Sequence, residues 1–413
     1  MAGQGAARIS WAGRAMPVLG LIRAEFASEQ PLAGLCVAAC LHVTAETASL
    51  VSVLLAGGAR VHLAASNPLS TQDDIAAALA ELPGVLVAAR SGVDRETYYE
   101  HLLRSLDPAP DLVIDDGGDL LNTLHAERPE LLAGVRGGCE STSTGVARLR
   151  RMAAAGTLAF PVIAADTSVT RRMFDSRYGT GQSVIDGIVR ATNLLLAGKS
   201  VVVAGYGPCG QGIAERARGH GARVIITETD PIRALDAIMQ GYRVLPMADA
   251  AVAGEVFITA TGSRDVITGE HLLAMPDGAI LANAGHFDVE IDVRALAGLA
   301  AEVHPEVRPH ADEYVLPGGR RLILLAEGRV VNLVAAEGNP AAVMDLSFAA
   351  QALALAGLAA SGPAGVTLPA GVHDMPAAID TRIAALTLAS LGVGIDELTP
   401  AQLAYLESWR QGS

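Results

Sequence analysis

KSVVVAGYGPCGQGIAERARGHGARVIITETD, Lys199–Asp230, sets an apolar run against a glycine cluster, a helical stretch and a second apolar run that ends in acids. The order is that of a buried strand, a tight turn, a helix and another strand, the opening unit of a dinucleotide-binding sheet. Gly205, Gly207 and Gly210 occupy the three glycine positions of G-x-G-x-x-G. There they permit the tight turn, the close approach of backbone to a pyrophosphate, and close packing of helix on strand. Free N–H groups at the start of the helix then face the phosphates. Glu228 ends the second strand, where a carboxylate accepts bonds from both ribose hydroxyls and repels a 2′-phosphate, so NAD is expected over NADP.

Downstream, EVFITATG (255–262) and GAILANAGHFDVEID (278–292) continue such a sheet, with strands ending at Thr261 and at Asn283, just before Gly285 and His286. RRLILLAEGRVVNLVAAEG (320–338) reads as a hairpin leading the chain back, with Asn332 at the return. Upstream, GLCVAACL, ARVHLAAS, GVLVAAR and DLVIDD are strand candidates, while TAETASLVSVLLAGG and TQDDIAAALAEL carry apolar residues at helical spacing. This alternation predicts a parallel sheet covered by helices, with ligands gathering beyond the carboxyl ends of its strands. Those tails are His42, Asn67 and Asp116. SVIDGIVRATNLLLAG (183–198) reads as a helical segment joining the two units, and VTRRMFDSRYG (169–179) puts two arginines ahead of an acid and a tyrosine–glycine turn. The expected fold is α/β: a Rossmann-type NAD domain (179–331) inserted into a second α/β substrate domain with a parallel sheet. The substrate domain comprises 1–178 and a return segment at 332–365, and a helical segment, 366–413, follows.

A length of 413 residues suits two cores, since a single core stops growing near ~250–300 residues. Net charge is −14 with no basic and aromatic cluster, which disfavours nucleic acid and anionic membranes and favours a small-molecule ligand. Although 51% of residues are hydrophobic, no unbroken apolar run reaches the roughly 18 residues of a spanning helix. A polar-poor stretch at 350–365 reads as a buried helix. The N-terminal stretch lacks a secretory pattern, so a cytoplasmic protein is expected. Cys36, Cys40, Cys139 and Cys209 form neither a disulfide framework nor a zinc pattern, and no metal is expected.

Several collinear stretches resemble the S-adenosyl-L-homocysteine hydrolase family: CLHVTAET (40–47), SNPLSTQDD (66–74), DDGGDLLNTLH (115–125), SVIDGIVRAT (183–192), VVAGYGPCGQG (202–212), ARVIITETDPIRAL (222–235), GHFDVEIDV (285–293) and LLAEGRVVNL (324–333). The resemblance implies a resident NAD that oxidises the 3′-hydroxyl of an adenine nucleoside and is regenerated in each turnover. A ketone at C3′ acidifies the C4′ hydrogen, so that a modest base removes it and a group on C5′ departs. The resemblance also implies site roles. His42 and Asp116 match residues near C4′ and C5′, although a histidine and an aspartate at strand ends also serve to satisfy backbone groups. Thr44 and Glu46 match positions touching the sugar and the adenine. Asp175 matches the aspartate beside the 3′-hydroxyl, and His286 the histidine facing the sugar from the cofactor side. Thr142, Ser143, Thr144 and Asn332 match contacts to NAD.

The sequence departs from the family around the substrate. Arg171 replaces a lysine that helps take the 3′-hydroxyl proton, and a guanidinium keeps its charge where an amine can be tuned to titrate. Ser141 replaces a glutamate at the 2′-hydroxyl, Ser176 an asparagine, Asn339 a histidine and Glu337 a methionine, with Met344 nearby in the same wall. The family's tail, which reaches a neighbouring subunit's NAD site, has no counterpart in YLESWRQGS, so a looser hold on NAD is expected. With GYGPCGQG intact, these changes point to retained cofactor chemistry and an altered substrate. The leading expectation is a nucleoside dehydratase, eliminating water from a psicofuranosyl adenine to give an exocyclic alkene. A hydrolase of S-adenosyl-L-homocysteine is the alternative, and an NAD-binding regulator without turnover the third. A homodimer or homotetramer is expected.

Overall fold

A computed structural model describes residues 1–360 and 368–409. The strands in chain order are β1 Cys36–Leu41, β2 Arg60–Ala65, β3 Val85–Ala88, β4 Leu112–Asp115, β5 Gly137–Glu140, β6 Pro161–Ala164, β7 Ser200–Ala204, β8 Arg223–Thr227, β9 Arg243–Val244, β10 Val256–Thr259, β11 Ala279–Asn283, β12 Glu302–Arg308, β13 Ala311–Val315, β14 Arg321–Leu325 and β15 Gly371–Asp374. They form a seven-stranded sheet, β15-β6-β5-β4-β1-β2-β3, and an eight-stranded sheet, β12-β13-β14-β11-β10-β7-β8-β9. Every pairing in the first is parallel. The second is parallel apart from β12-β13 and β13-β14. Helices cover both faces, which is why β1 and β4 are buried along their whole length and read as continuous apolar runs.

Strand order reverses direction at β1/β4 in the first sheet and at β7/β10 in the second. Such switch points open a crevice at the carboxyl ends of the strands. His42 and Asp116 lie just past the first, Gly205 and Thr261 just past the second.

The helix Ala341–Ala360 has thirteen buried residues, and it packs beside β4 and β5 and the helices Pro17–Glu29 and Ala45–Ala56. By length and composition it could cross a membrane, but 67% of its apolar window is buried inside the protein, which marks a core helix. The buried helix expected over 350–365 is the latter part of this element, and 361–367 lie outside the described residues.

Three local expectations need correction. The segment 320–338 is not a hairpin: only Arg321–Leu325 is a strand, followed by positive φ at Ala326, Glu327 and Gly328 and a short helix Val331–Val334. That strand instead closes an antiparallel meander begun earlier, β12-β13-β14, whose exposed first strand Glu302–Arg308 shows no apolar run to announce it. The helix over 183–198 stops at Thr192, because Asn193 takes the left-handed conformation and caps it. Lastly, Tyr178-Gly179 is no turn. Arg171–Gly179 is a π-helix running into the helix Thr180–Thr192.

Candidate active site

The carboxyl ends of both sheets open into one cavity of ≈ 1540 Å³. Drug-sized pockets hold roughly 300–1,000 Å³, so this chamber has room for a dinucleotide with a second ligand.

At its first-sheet end, His42 Nε2 lies 3.2 Å from Asp116 Oδ2, and His42 Nδ1 lies 2.6 Å from Ser70 Oγ. Burial brings the His42 imidazole down to about 4 against the pull of Asp116, so the ring is neutral at neutral pH. The ring meets Asp116 through Nε2 and the Ser70 hydroxyl through Nδ1. Burial works to raise the Asp116 carboxyl, but His42, His286, the Ser141 hydroxyl and Arg171 together hold it below its ordinary value. Ser141 Oγ donates to Asp116 Oδ1 at 2.5 Å. The pair is a neutral imidazole beside a carboxylate, suited to moving one proton.

His286 reaches this pair from the second sheet, its ring 5.9 Å from that of His42. The approach depends on Gly117, whose φ is +118° and where a Cβ would lie 2.4 Å from His286 Nε2. Gly117 is held from both sides: its N–H donates to Glu140 Oε1 at 3.0 Å, and its carbonyl accepts from Arg148 Nη1 at 2.7 Å. Glu140 Oε1 also takes the Thr142 N–H and hydroxyl, while Oε2 has no partner among the described residues. Burial, with Asp115 and Asp116 alongside, pushes the Glu140 carboxyl well up, and Asp115 on the neighbouring strand rises to about 7 through burial first.

Arg171 and Asp175 come from the π-helix, whose wider turn, closed by Thr180 N–H to Asp175 C=O, puts the two side by side in the cavity wall. Arg171 Nε is 3.4 Å from Asp175 Oδ2. Asp175 also accepts from Asn339 Nδ2 at 2.5 Å and from Ser347 Oγ at 2.8 Å. Asn339 Oδ1 in turn accepts from Ser183 Oγ and Asn332 Nδ2, so the amide is oriented by partners on both its ends.

At the second-sheet end, Gly205 has φ +93°, and a Cβ on Gly210 would sit 2.0 Å from the Gly205 carbonyl oxygen. Gly207 immediately precedes the helix Pro208–Gly219, which leaves the N–H groups of its first turn free. Glu228 accepts from the N–H groups of Tyr206, Thr229 and Asp230; against the effect of burial these bonds hold its carboxyl below its usual value and keep it ionised. Asn332 Oδ1 is a buried acceptor without a partner among the described residues. A glycine cradle, a helix start, a ribose-facing carboxylate and a spare acceptor fit NAD.

Thr44, Glu46, Ser143, Thr144, Ser176 and Met344 line the same cavity, as does Thr261, whose N–H and hydroxyl are held by Glu290. Thr142 lines it too and caps the helix Ser143–Ala154 by accepting from the Gly145 N–H. Three expected residues serve differently. Asn283 is fully buried beneath the site, its amide spent on Gly285, Phe287, Gly328 and Thr259, because the strand end needs those backbone groups satisfied. Asn67 caps a short turn through Leu69 N–H. Glu337 sits at the mouth and is exposed, paired with Arg8 at 2.8 Å. Sequence reasoning missed Ser70, Gly117 and Ser347. The doubled glycine of DDGGD and the serine in NPLSTQ were visible signals, but Ser347 stands 172 residues from Asp175 with no local mark.

The profile of S-adenosyl-L-homocysteine hydrolase matches residues 1–131, and that of the S-adenosyl-L-homocysteine hydrolase NAD binding domain matches 176–338. The adenosylhomocysteinase of Gloeobacter violaceus is 52% identical over 413 residues, covering 100% of this chain and 96% of that protein. That of Aquifex aeolicus is 55% identical, covering 100% and 98%. An S-inosyl-L-homocysteine hydrolase of Methanosarcina acetivorans is 53% identical over 406 residues, covering 98% and 97%. Together with the glycine cradle and the two facing crevices, these matches establish that the chain belongs to the S-adenosyl-L-homocysteine hydrolase family of NAD-dependent enzymes.

Proposed function

We propose that the protein hydrolyses the C5′ thioether of an S-nucleosyl-L-homocysteine, with adenine as the base, to a nucleoside and homocysteine. The observation that carries this reading is the convergence of His42–Asp116, Arg171–Asp175 and the dinucleotide cradle on one cavity. NAD held by the Gly205–Gly207–Gly210 cradle and Glu228 would supply reversible hydride acceptance at C3′ of the sugar. Arg171 stays charged, so it steadies the 3′-oxygen while the Asp175 carboxylate accepts the hydroxyl proton. With a ketone at C3′, the His42–Asp116 pair removes the C4′ proton and protonates the sulfur as the C5′–S bond breaks and the C4′–C5′ double bond forms. Water then adds at C5′, the proton returns to C4′, and the ketone is reduced. Glu46 lines the cavity and is assigned to the base; as a carboxylate it accepts from an exocyclic amine, where a keto oxygen would meet it acceptor to acceptor.

A second reading, a dehydratase acting on a psicofuranosyl adenine, is favoured by Ser141. Its small side chain turns to Asp116 and leaves space beside C1′ and C2′ for an added hydroxymethyl group. Loss of the C4′ proton then expels the exocyclic hydroxyl across C4′–C5′, which leaves as water with a proton from the His42–Asp116 pair, and the alkene is kept. Incubation with S-adenosyl-L-homocysteine, S-inosyl-L-homocysteine and psicofuranosyl adenine, read by thiol release and product mass, decides between them. Thiol from the adenosyl thioether supports the main reading, and loss of water from the psicofuranosyl nucleoside without thiol release supports the second.

Arg171→Lys is expected to change turnover by about 10-fold or more and to add a titration to the oxidation step, whereas the exposed Arg172→Lys leaves it near wild type. Equal effects would remove Arg171 from the sugar. The division of the chain at 178, 331 and 365, the cytoplasm as the setting for its four free thiols, and self-association through exposed Ile232, Leu235, Ile238 and Met239 belong to the same reading.

A further inference from the structure

Asp380 lies on the helix Ala377–Ser390, some two hundred residues after the π-helix, and lines no part of the cavity. Its carboxylate nevertheless gathers four hydrogen bonds from three consecutive residues, Ser168, Val169 and Thr170, that lead directly into Arg171. Oδ1 accepts from Ser168 Oγ at 2.7 Å, Thr170 Oγ1 at 2.7 Å and Thr170 N–H at 3.2 Å, and Oδ2 accepts from Val169 N–H at 2.9 Å. Ser168 Oγ is thereby oriented to accept from the N–H of Arg171 itself, at 3.1 Å. The N–H groups at a helix start have no partner within the helix, and they are ordinarily capped by a local side chain. Here Thr170 gives no side-chain cap: Ser168, itself held by Asp380, takes the Arg171 N–H, and the distant carboxylate takes the N–H groups of Val169 and Thr170 directly. Burial opposes ionisation of Asp380, but these hydrogen bonds outweigh it and keep the carboxyl below its usual value.

We propose that Asp380 is a positioning residue for the reaction: by fixing the start of the π-helix it sets where Arg171 and Asp175 meet the sugar. The argument rests on the reading above in which those two side chains face C3′. Asp175 is held at its own end by Asn339 and Ser347, so loosening the start of the segment displaces Arg171 relative to Asp175 rather than removing both. The consequence falls on the oxidation step and not on the affinity for base or dinucleotide, whose contacts lie elsewhere in the cavity.

The test uses full-length protein loaded with NAD and three variants. Asp380→Ala removes all four bonds. Asp380→Asn keeps an acceptor at Oδ1 but turns an NH₂ towards Val169 N–H. Arg382→Ala, on the same helix, removes the ion pair to Glu25 that ties this helix to Pro17–Glu29 and leaves the clamp intact. Single-turnover growth of the reduced-nicotinamide absorbance is followed at saturating substrate, beside substrate affinity and NAD content. Expected is a fall in rate of at least about 10-fold in Asp380→Ala and a smaller fall in Asp380→Asn, with both affinities within about twofold of wild type and Arg382→Ala unaffected. The proposal is overturned if Asp380→Asn and Asp380→Ala both reduce nicotinamide at the wild-type rate, or if Arg382→Ala loses as much as Asp380→Ala. A wild-type protein that never reduces its nicotinamide with any nucleoside would instead sink the functional reading on which the proposal stands.

Discussion

Gly117→Ala is expected to cut turnover by about 10²-fold while leaving NAD bound, since a misplacement of the order of 1 Å in a reacting group carries a penalty of that size. The methyl group would occupy the space of His286 Nε2, and two partners, Glu140 and Arg148, prevent Gly117 from moving aside. His286 must then withdraw from His42, and the second-sheet wall of the site withdraws with it. Positive φ adds strain of its own, which a control separates. Gly118 also has positive φ, at +79°, but the nearest atom to its Cβ is 3.4 Å away and is not His286. Gly118→Ala therefore carries the backbone strain without the obstruction, and it should lose melting temperature but keep most of its turnover. If the two alanine variants are equally active, the contact between the sheets has no part in the reaction.

The second large effect concerns the proton pair. Asp116→Asn or His42→Ala is expected to lower cleavage at C5′ by roughly 10²–10⁴-fold, the usual worth of a positioned acid–base group. Nicotinamide reduction, which the proposed mechanism assigns to Arg171 and Asp175, should persist, so the variants accumulate oxidised substrate. In the wild type the cleavage rate should be level through neutral pH and fall only as pH approaches about 4, where the His42 ring gains its proton. Asp116 raises the His42 pKa, so its neutralisation by Asn moves this acid limb lower still. An acid limb near the ordinary histidine value, or a shift upward in Asp116→Asn, would show that the titrating group is not His42. The same depressed pKa makes the His42 contribution to stability complete above the unfolded value of 6.5, and it is lost as pH falls towards 4.

Much of this architecture was legible because it rests on runs and spacings. β1, β2, β4, β7 and β8 are apolar stretches ending in polar residues, and the switch points follow from their order. β5 and β15 were not, since Gly137–Glu140 and Gly371–Asp374 hold neither an apolar run nor enough length to show alternation, and only their neighbours make them strands. Within the site, the strand-end residues His42, Asp116 and Glu228 could be read from position alone. The grips that hold the side chains of the site could not. Ser70, Ser347 and Asp380 are ordinary polar residues whose partners are brought near by tertiary packing. Asn283 is the converse case, a polar residue at a strand end in the expected place that is consumed by backbone groups.

The acids of the interior alter the electrical character of the whole molecule. Glu140, Asp115 and Asp345 are counted as full charges in the formal −14, yet all three carboxyls are raised by their buried settings, Asp115 to about 7 and Asp345 to about 6. Between their ordinary and raised values these three carboxyls therefore keep protons in the native chain that the unfolded chain releases. Because those protons must leave as the medium turns basic, this part of the interior loses its advantage as pH climbs from about 4 to about 7, opposite in sense to His42.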